Sequence, residues 1–202
     1  MRHPIGSVPS GVLVAVVVVG DGPYDLVPIG GLPAVVRAVR TLTAVAAEVG
    51  LLGPPEVLGP ALEACAGLPV RVQGGVADGD VVVLHEAIRP LAPPSLARAV
   101  VDAVWAGAPA AVPVLRLTDT VKRVADGVLY AGPERATLRL VQSPVAFRAC
   151  GPALPSGALD LVASRAAAGE PVQTVAGDPA AFAIRSEWDL ELAAMVLDGV
   201  IA

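Results

Sequence analysis

The sequence has few aromatic residues, only two cysteines and no apolar run long enough to cross a membrane. Phe, Trp and Tyr make up 3% of the 202 residues, so stacking platforms for single-stranded nucleic acid are not expected. Cys65 and Cys150 show neither the spacing of metal ligands nor a disulfide framework. We expect both in the core of a protein from a reducing compartment. No run approaches the roughly 20 apolar residues of a membrane span, which predicts a soluble protein with no membrane partner.

The charge balance excludes a further class of partner. The formal net charge is −5, and no Lys/Arg cluster with interleaved aromatics occurs, which argues against nucleic acid. The longest apolar run, residues 12–19, follows Arg2 and His3 as the core of a signal peptide would. It is rich in β-branched residues, however, and ends at Gly20-Asp21-Gly22 rather than at a small-residue cleavage site. It is therefore predicted to be a buried first strand, which places the protein in the cytoplasm.

Length and periodicity favour a single α/β domain over residues 1–202. A chain of 202 residues suits one well-buried core, and no stretch has the composition of a linker. Short β-branched runs alternate with Ala-rich helical stretches, a pattern typical of parallel strands buried on both faces. A doubly wound, mostly parallel, Rossmann-like sheet follows. The predicted strands are 13–19, 81–84, 110–114, 138–142 and 172–175, and the predicted helices are 33 to about 49, 93 to about 107 with Ser95 as N-cap, 158–168 and 186 to about 197.

One segment interrupts the alternation of strands and helices. Strand-like residues 121–124 and 128–130 flank Ala125-Asp126-Gly127, and Asp-Gly between two such runs is a strong signal for a hairpin turn. The sequence therefore predicts a β-hairpin arm near residues 118–142.

Several segments, in order, resemble the 2-C-methyl-D-erythritol 4-phosphate cytidylyltransferase family. Residues 83–90, VLHEAIRP, resemble the family's V-H-D-A-A-R-P, and residues 113–123, PVLRLTDTVKR, resemble its P-V-x-D-T-x-K. Residues 133–147 resemble its R-x-x-L-x-x-x-Q-T-P-Q-x-F, and residues 177–190 are similar to its last strand and helix. The resemblance implies a nucleotidyltransferase-type fold, a homodimer formed through the arm, and cytidylyl transfer from CTP to a sugar-alcohol phosphate in isoprenoid biosynthesis.

Nucleotidyl transfer requires a bound triphosphate, which glycine-loop amides, cationic side chains and a metal held by a carboxylate can provide. The first glycine loop is shorter than in the family, lacks its arginine, and has Tyr24 where the family has the lysine of Pro-Lys. Asp21 adds a negative charge to the same loop. The alternative for this loop is a tight strand-to-helix turn that merely needs glycine. The residues predicted to bind nucleotide are Gly20, Gly22, Gly74 and Gly75.

His85 and Glu86 close a predicted strand, and ligands of open α/β sheets bind at the carboxyl ends of strands. The family has an aspartate at the position of Glu86, which contacts metal and nucleotide. Glu86 is therefore the predicted metal ligand and Mg²⁺ the candidate cofactor. The alternative for His85 is a strand-end histidine satisfied by local backbone. Arg89 is either a substrate-binding cation or a bridge to a carboxylate.

The resemblance also implies a sugar-phosphate site on the arm. The threonine and arginine that match Thr120 and Arg135 help bind the methylerythritol phosphate in the family, the arginine reaching over from the neighbouring subunit. A planar guanidinium suits this role because it binds phosphate with two parallel hydrogen bonds. The alternatives are a turn residue for Thr120 and a surface ion pair for Arg135.

Two further elements of the family pattern are missing. After Gly74-Gly75 the family continues into a helix that contacts the cytidine nucleotide, whereas residues 76–80 lead straight into the next strand here. Ala183 stands where the family has a lysine near its last strand, and a regular strand would put Arg185 on the opposite face. The nucleotide side is therefore more eroded than the sugar-phosphate side.

Three functional hypotheses follow. The first is a cytidylyltransferase by descent whose catalysis is weak or lost. The second is a non-catalytic binding or regulatory subunit that keeps the arm and binds a partner. The third is a nucleotidyltransferase for another phosphorylated substrate, which would use Glu86, Arg89, Thr120 and Arg135.

Overall fold

Residues 11–200 are described in the computed structural model, and they form an eight-stranded sheet with helices on both faces. The strands are β1 (Leu13–Val18), β2 (Pro28–Ile29), β3 (Leu32–Pro33), β4 (Val49–Leu52), β5 (Val70–Val72), β6 (Val81–Glu86), β7 (Ala110–Arg116), β8 (Arg123–Ala125), β9 (Val128–Tyr130), β10 (Arg139–Val141), β11 (Val145–Arg148) and β12 (Gln173–Ala176). The helices are α1 (Ala34–Leu42), α2 (Pro55–Ala64), α3 (Pro94–Trp105), α4 (Ala158–Ala167) and α5 (Glu187–Leu197).

The main sheet is mixed and mostly parallel. Its order is β10-β7-β11-β6-β1-β4-β5, and β12 also pairs with β7. The pairs β1–β4, β1–β6, β4–β5 and β7–β12 are parallel, whereas β10 and β11 run antiparallel to their neighbours. Six of the eight strands therefore share one direction, which confirms the predicted doubly wound α/β class.

Both faces of the sheet are covered. On one face, β1 residues Ala15 and Val17 pack with side chains of α1, α2 and α3. On the other, Val16 and Leu84 pack with α4 through Leu161. Successive side chains of β1 and β6 thus enter two cores, which explains why these strands are continuously apolar. Within residues 11–200, every helix is too short or too polar to span a bilayer.

The region between β1 and β6 holds the largest error of the sequence prediction. The predicted helix from residue 33 to about 49 ends at Leu42, and Val49 instead begins β4. Neither β4 nor α2 and β5 was predicted, because the Ala-rich residues before Val49 continue a helical pattern. Gly50 belongs in this strand for a packing reason, since a Cβ there would collide with the side chain of Gln73.

Two predicted N-caps and the predicted burial of the two cysteines can be compared with the structure. Ser186 caps α5 as predicted, accepting the amide of Asp189. Ser95 does not cap α3, because Pro93 is the N-cap and Pro94 begins the helix. Cys65 is buried, but Cys150 is exposed, so the prediction that both are core residues is wrong for Cys150.

The predicted hairpin is confirmed. β8 and β9 pair antiparallel, and Asp126 and Gly127 connect them with φ values of 51° and 74°. Two successive residues of positive φ form the turn that matches the twist of a two-stranded ribbon. We call residues 118–142 the arm. Its apolar side chains are exposed, with Leu129 70% and Val124 62% accessible.

Candidate functional site

A pocket of about 480 Å³ opens at the carboxyl ends of β1 and β6, and we call it the β1 pocket. The chain runs from β1 outward to β4 and β5 and then returns to the other side of β1 as β6. Such a reversal of strand order leaves a crevice between the connecting loops, where ligands of open α/β sheets bind. The pocket is lined by Val18, Gly20, Asp21, Gly22, Pro23, Tyr24, Asp25, Glu86, Ile88, Ser156, Ile184 and Arg185.

The loop after β1 folds around its own aspartate. The Gly20 amide donates a hydrogen bond to Asp25 Oδ1 at 2.8 Å. A Cβ at Gly20 or Gly22 would lie 3.3 or 3.4 Å from Asp25 Oδ2, whereas neither glycine has a positive φ. The two glycines therefore give room to a carboxylate and do not supply left-handed turn geometry.

The start of α1 is closed by the same loop. The amides of Ala34 and Val35 donate to the carbonyls of Val27 and Asp25, both at 3.0 Å. Free amides at a helix N-terminus are a common anion site in α/β proteins. Here two of these donors are already satisfied by the preceding backbone.

Asp25 is 3% exposed. Burial raises the pKa of its carboxyl above the ordinary value, the Gly20 amide opposes this shift, and the charges of Asp21 and Glu86 raise the pKa further. Neighbouring carboxylates and burial therefore both make the ionised form of Asp25 unfavourable in the pocket.

Glu86 and Arg89 form an ion pair beneath the pocket. Arg89 Nε donates to Glu86 Oε2 at 2.8 Å, and both side chains are mostly buried. The remaining guanidinium nitrogens donate to the carbonyls of Ala181 at 2.8 Å and Val141 at 3.4 Å. Glu86 Oε1 lies 2.6 Å from the position that a Cβ of Gly157 would occupy. Every nitrogen of the Arg89 guanidinium is thus bound to protein oxygen, so its charge is compensated within the chain.

The residues of the pocket do not form a magnesium site by themselves. Across residues 11–200, no three His, Cys, Asp or Glu side chains are grouped as metal ligands. One oxygen of Glu86 is bound by Arg89 and one oxygen of Asp25 by the Gly20 amide. Mg²⁺ demands near-octahedral oxygen geometry. The metal role of Glu86 therefore stays a prediction.

His85 lies in the core. It is fully buried and shares a 3.0 Å hydrogen bond between Nδ1 and Ser143 Oγ. Burial lowers the pKa of His85 to about 3, and the charge of Arg89 lowers it as well. His85 is therefore neutral at physiological pH and does not line the pocket.

The polar lining residues Asp25, Ser156 and Arg185 were not predicted as site residues. The sequence argument placed Arg185 on the face opposite Ala183 by assuming a regular strand. Residues 182–185 do not form a strand, and the Ile184 amide instead donates to the carbonyl of Ile88 at 2.7 Å. Arg185 consequently lines the pocket, and among its lining residues within 11–200 it is the one basic side chain.

The other predicted glycines lie elsewhere. Gly74 and Gly75 are exposed in the connection from β5 to β6 and do not line the β1 pocket. A Cβ at Gly75 would lie 3.4 Å from Pro152. No helix is present at residues 73–80, in agreement with the deletion that the sequence indicated.

Thr120 and Arg135 lie together, in a different pocket. They line a cavity of about 390 Å³ with Val121, Lys122, Gly132 and Pro133, which we call the arm pocket. Arg135 donates to the Thr118 carbonyl at 2.8 Å, and an adjoining cavity is lined by Arg116, Glu134, Arg135 and Arg139. One chain therefore brings Thr120 and Arg135 together but keeps them apart from Gly20, Gly22 and Glu86.

Comparisons with known proteins point to one family. The family model for IspD, 2-C-methyl-D-erythritol 4-phosphate cytidylyltransferase, matches residues 70–199. The protein of that name from Nocardia farcinica is 39% identical over 199 residues, covering 87% of this chain and 86% of its own length. The one from Frankia casuarinae is 35% identical over 200 residues, covering 88% and 75%.

Solved structures agree. The 2-C-methyl-D-erythritol 4-phosphate cytidylyltransferase of Thermus thermophilus superposes with a TM-score of 0.70 at 26% identity, covering 92% of this chain and 98% of that one. The 4-diphosphocytidyl-2C-methyl-D-erythritol synthase of Anaerococcus prevotii has a TM-score of 0.71 at 18% identity, covering 95% and 98%. The second likeness supports the fold.

Proposed function

Because the chain belongs to the 2-C-methyl-D-erythritol 4-phosphate cytidylyltransferase family, we propose that it is a divergent member whose cytidylyl transfer from CTP is weak or lost. One observation carries the proposal. The described lining of the β1 pocket includes Asp21, Asp25 and Glu86, and because Arg89 pairs with Glu86, two carboxylates are left against the guanidinium of Arg185.

The carboxylates of the β1 pocket matter for catalysis because of their charge. A nucleotidyl transfer gathers negative charge on the phosphates, and fixed cations and amide donors stabilise it. Removing one such donor typically costs about 10²–10³ in rate. Like charges a few ångströms apart also repel by about 1–4 kcal/mol at the dielectric constants of water and of a protein surface. The lining charges therefore oppose the triphosphate before chemistry begins.

The family pattern supports the same proposal. Tyr24 lines the pocket where the family has the lysine of Pro-Lys, and Ala183 stands where it has its terminal lysine. Arg89 is paired with Glu86. Arg185 replaces at most one of these cations.

We further propose that Gly20 and Gly22 border the nucleotide position, whereas Thr120 and Arg135 form the sugar-phosphate position. The two positions lie in separate pockets of one chain. A homodimer that places the arm of one subunit beside the β1 pocket of the other would unite them. Gly74 and Gly75 would then border the nucleotide only through a movement of their loop.

A turnover assay tests the proposed function. Pyrophosphate release is measured with CTP, methylerythritol phosphate and MgCl₂, with the homologous Nocardia farcinica protein as the parallel sample. We expect a rate at least about 10²-fold lower for this chain, the effect of one missing donor. Equal rates for the two proteins would refute the proposed loss of catalysis.

The exposed arm favours one alternative, a non-catalytic subunit that binds a partner. Val124, Val128 and Leu129 are each more than half exposed, and monomeric proteins seldom leave contiguous apolar patches uncovered. This alternative predicts a dimer or hetero-complex by sedimentation together with no thermal stabilisation by CTP. A catalytic member with reduced activity would still be stabilised by CTP at millimolar concentrations, because ligand binding to the folded state raises its stability.

A further inference from the structure

We propose that Asp25 determines which ligands the β1 pocket accepts, because its carboxylate occupies the place on the glycine loop where a phosphate would bind. This inference rests on the proposed assignment of the β1 pocket as the nucleotide position. It goes beyond that assignment by naming a residue and a class of ligand.

The first support is the position of the carboxylate. Asp25 Oδ1 accepts the Gly20 amide at 2.8 Å, and Oδ2 lies over Gly20 and Gly22, within 3.4 Å of where their Cβ atoms would be. Backbone amides of glycine loops bind phosphate oxygens because no side chain hinders the approach. At this loop, the close approach is made by an oxygen of the chain itself.

The second support comes from α1. Anions bind at helix N-termini through unpaired amides, but the amides of Ala34 and Val35 donate to the loop carbonyls of Val27 and Asp25. Asp25 thus accepts hydrogen bonds from both kinds of amide. Its side chain binds the Gly20 amide of the loop, and its carbonyl binds the Val35 amide of α1. The backbone amides of Gly20, Ala34 and Val35 are therefore not free to bind a phosphate.

The third support is the charge around Asp25. Arg89 is paired with Glu86, and the carboxylates of Asp21 and Glu86 act on Asp25 as like charges. Because Asp25 is buried, water screens its charge weakly. A phosphate placed on the loop would meet a poorly screened negative charge.

The walls of the pocket indicate what it accepts instead. Val18, Pro23, Tyr24, Ile88 and Ile184 supply an apolar lining beside the carboxylates. Such a site suits a planar or apolar ligand without phosphate that donates hydrogen bonds to Asp25, the chemistry of a free nucleoside rather than a nucleoside triphosphate.

The experiment compares Asp25→Asn, Asp25→Ser and Asp21→Asn with the wild-type protein, using CTP and cytidine as probes in calorimetric titrations. Asp25→Asn keeps an oxygen for the Gly20 amide and removes the charge, and Asp25→Ser removes the charge with a shorter side chain, which covers failure of either variant to fold. Asp21→Asn removes an exposed charge from the same loop.

We expect the two Asp25 variants to bind CTP about tenfold or more tightly than the wild type, since like charges placed together cost several kcal/mol. Asp21→Asn should raise CTP affinity by a smaller factor, below about threefold, because the exposed charge of Asp21 is screened more strongly than that of Asp25. Cytidine affinity should not rise in the Asp25 variants.

Unchanged CTP affinity in a folded Asp25 variant, undetectable CTP binding by every variant included, would overturn the inference. An equal gain in Asp21→Asn, or an equal gain for cytidine, would also overturn it. These outcomes are separate from the turnover comparison, which tests the proposed function on the wild-type protein alone.

Discussion

The β1 pocket and the arm pocket present opposite charges. The first has Asp21 and Asp25 against Arg185, with Glu86 paired to Arg89, whereas the second combines Lys122 and Arg135 without a carboxylate among its described lining residues. The difference shows that the acidic lining is local to the β1 pocket. The net charge of −5 does not explain this difference, because both pockets belong to the same chain.

The two pockets also use arginine differently, and this gives the largest expected effect. Arg89 is buried and pairs with Glu86 and two carbonyls, whereas Arg135 is exposed. Removing one partner of a buried ion pair costs about 3–5 kcal/mol, because the remaining charge is uncompensated. We expect that loss for Arg89→Ala in urea unfolding, and less than about 0.5 kcal/mol for the matched Arg135→Ala. Similar losses in the two variants would remove the distinction.

Acid should lower the free energy of unfolding through His85. The pKa of His85 is lowered to about 3 in the fold, against about 6.5 in an unfolded chain. The unfolded state therefore binds more protons below pH 6.5, so the stabilisation from neutral His85 is complete above pH 6.5 and is lost as pH falls toward 3.

Between pH 6.5 and 4.5 this loss amounts to about 2–3 kcal/mol, since each pH unit below the unfolded pKa contributes about 1.4 kcal/mol. Unfolding curves of wild type and His85→Gln over this range measure it. Gln can keep a hydrogen bond to Ser143 but does not titrate, so the free energy of unfolding of the variant should depend less on pH. Parallel curves would show that His85 is not the source.

Asp25 should give a smaller pH dependence of stability, and of the opposite sign. Its carboxyl pKa is raised in the fold, chiefly by burial, so ionised Asp25 destabilises the protein once pH exceeds the ordinary carboxyl range. We expect Asp25→Asn to raise the free energy of unfolding at pH 7 by about 1 kcal/mol, the usual scale of single substitutions. The gain should shrink at pH 4, where Asp25 is protonated more fully. A loss of stability at pH 7 would contradict an unfavourable ionised form of Asp25.

The arm supplies the smallest effect on stability. Leu129 is 70% exposed, so Leu129→Ser should change the unfolding free energy of a monomer by less than about 0.5 kcal/mol. A core change such as Leu51→Ala should cost about 2–5 kcal/mol. If the arm forms the proposed homodimer, Leu129→Ser lowers the sedimentation coefficient. A wild-type protein that sediments as a monomer would refute the homodimer.

The sequence predicted those parts of the fold that local chemistry determines. The apolar β1 run, the Asp126-Gly127 turn and the Ser186 cap each carry a local signal, and the structure confirms them. β4 and β11 are short and have no comparable turn or cap signal. Their places depend on pairing with β1, β6 and β7, which a local pattern does not show.

The site was less predictable for the same reason. Gly20, Gly22 and Glu86 were expected at the strand ends, and they do line the β1 pocket. Asp25 was missed because its importance comes from folding back on Gly20, a tertiary contact. Arg185 was misplaced because the backbone before it leaves the sheet. Both residues lie near the positions where the family pattern loses a lysine, the one sequence signal that could have drawn attention to them.

Calorimetric titration of the wild-type protein with CTP and MgCl₂ tests the central claim most directly. The acidic β1 pocket predicts no saturable heat of binding below millimolar CTP. Enzymes commonly bind their substrates in the micromolar to millimolar range. A micromolar dissociation constant for CTP would contradict the account, because within residues 11–200 the pocket lining offers Arg185 alone as a cation.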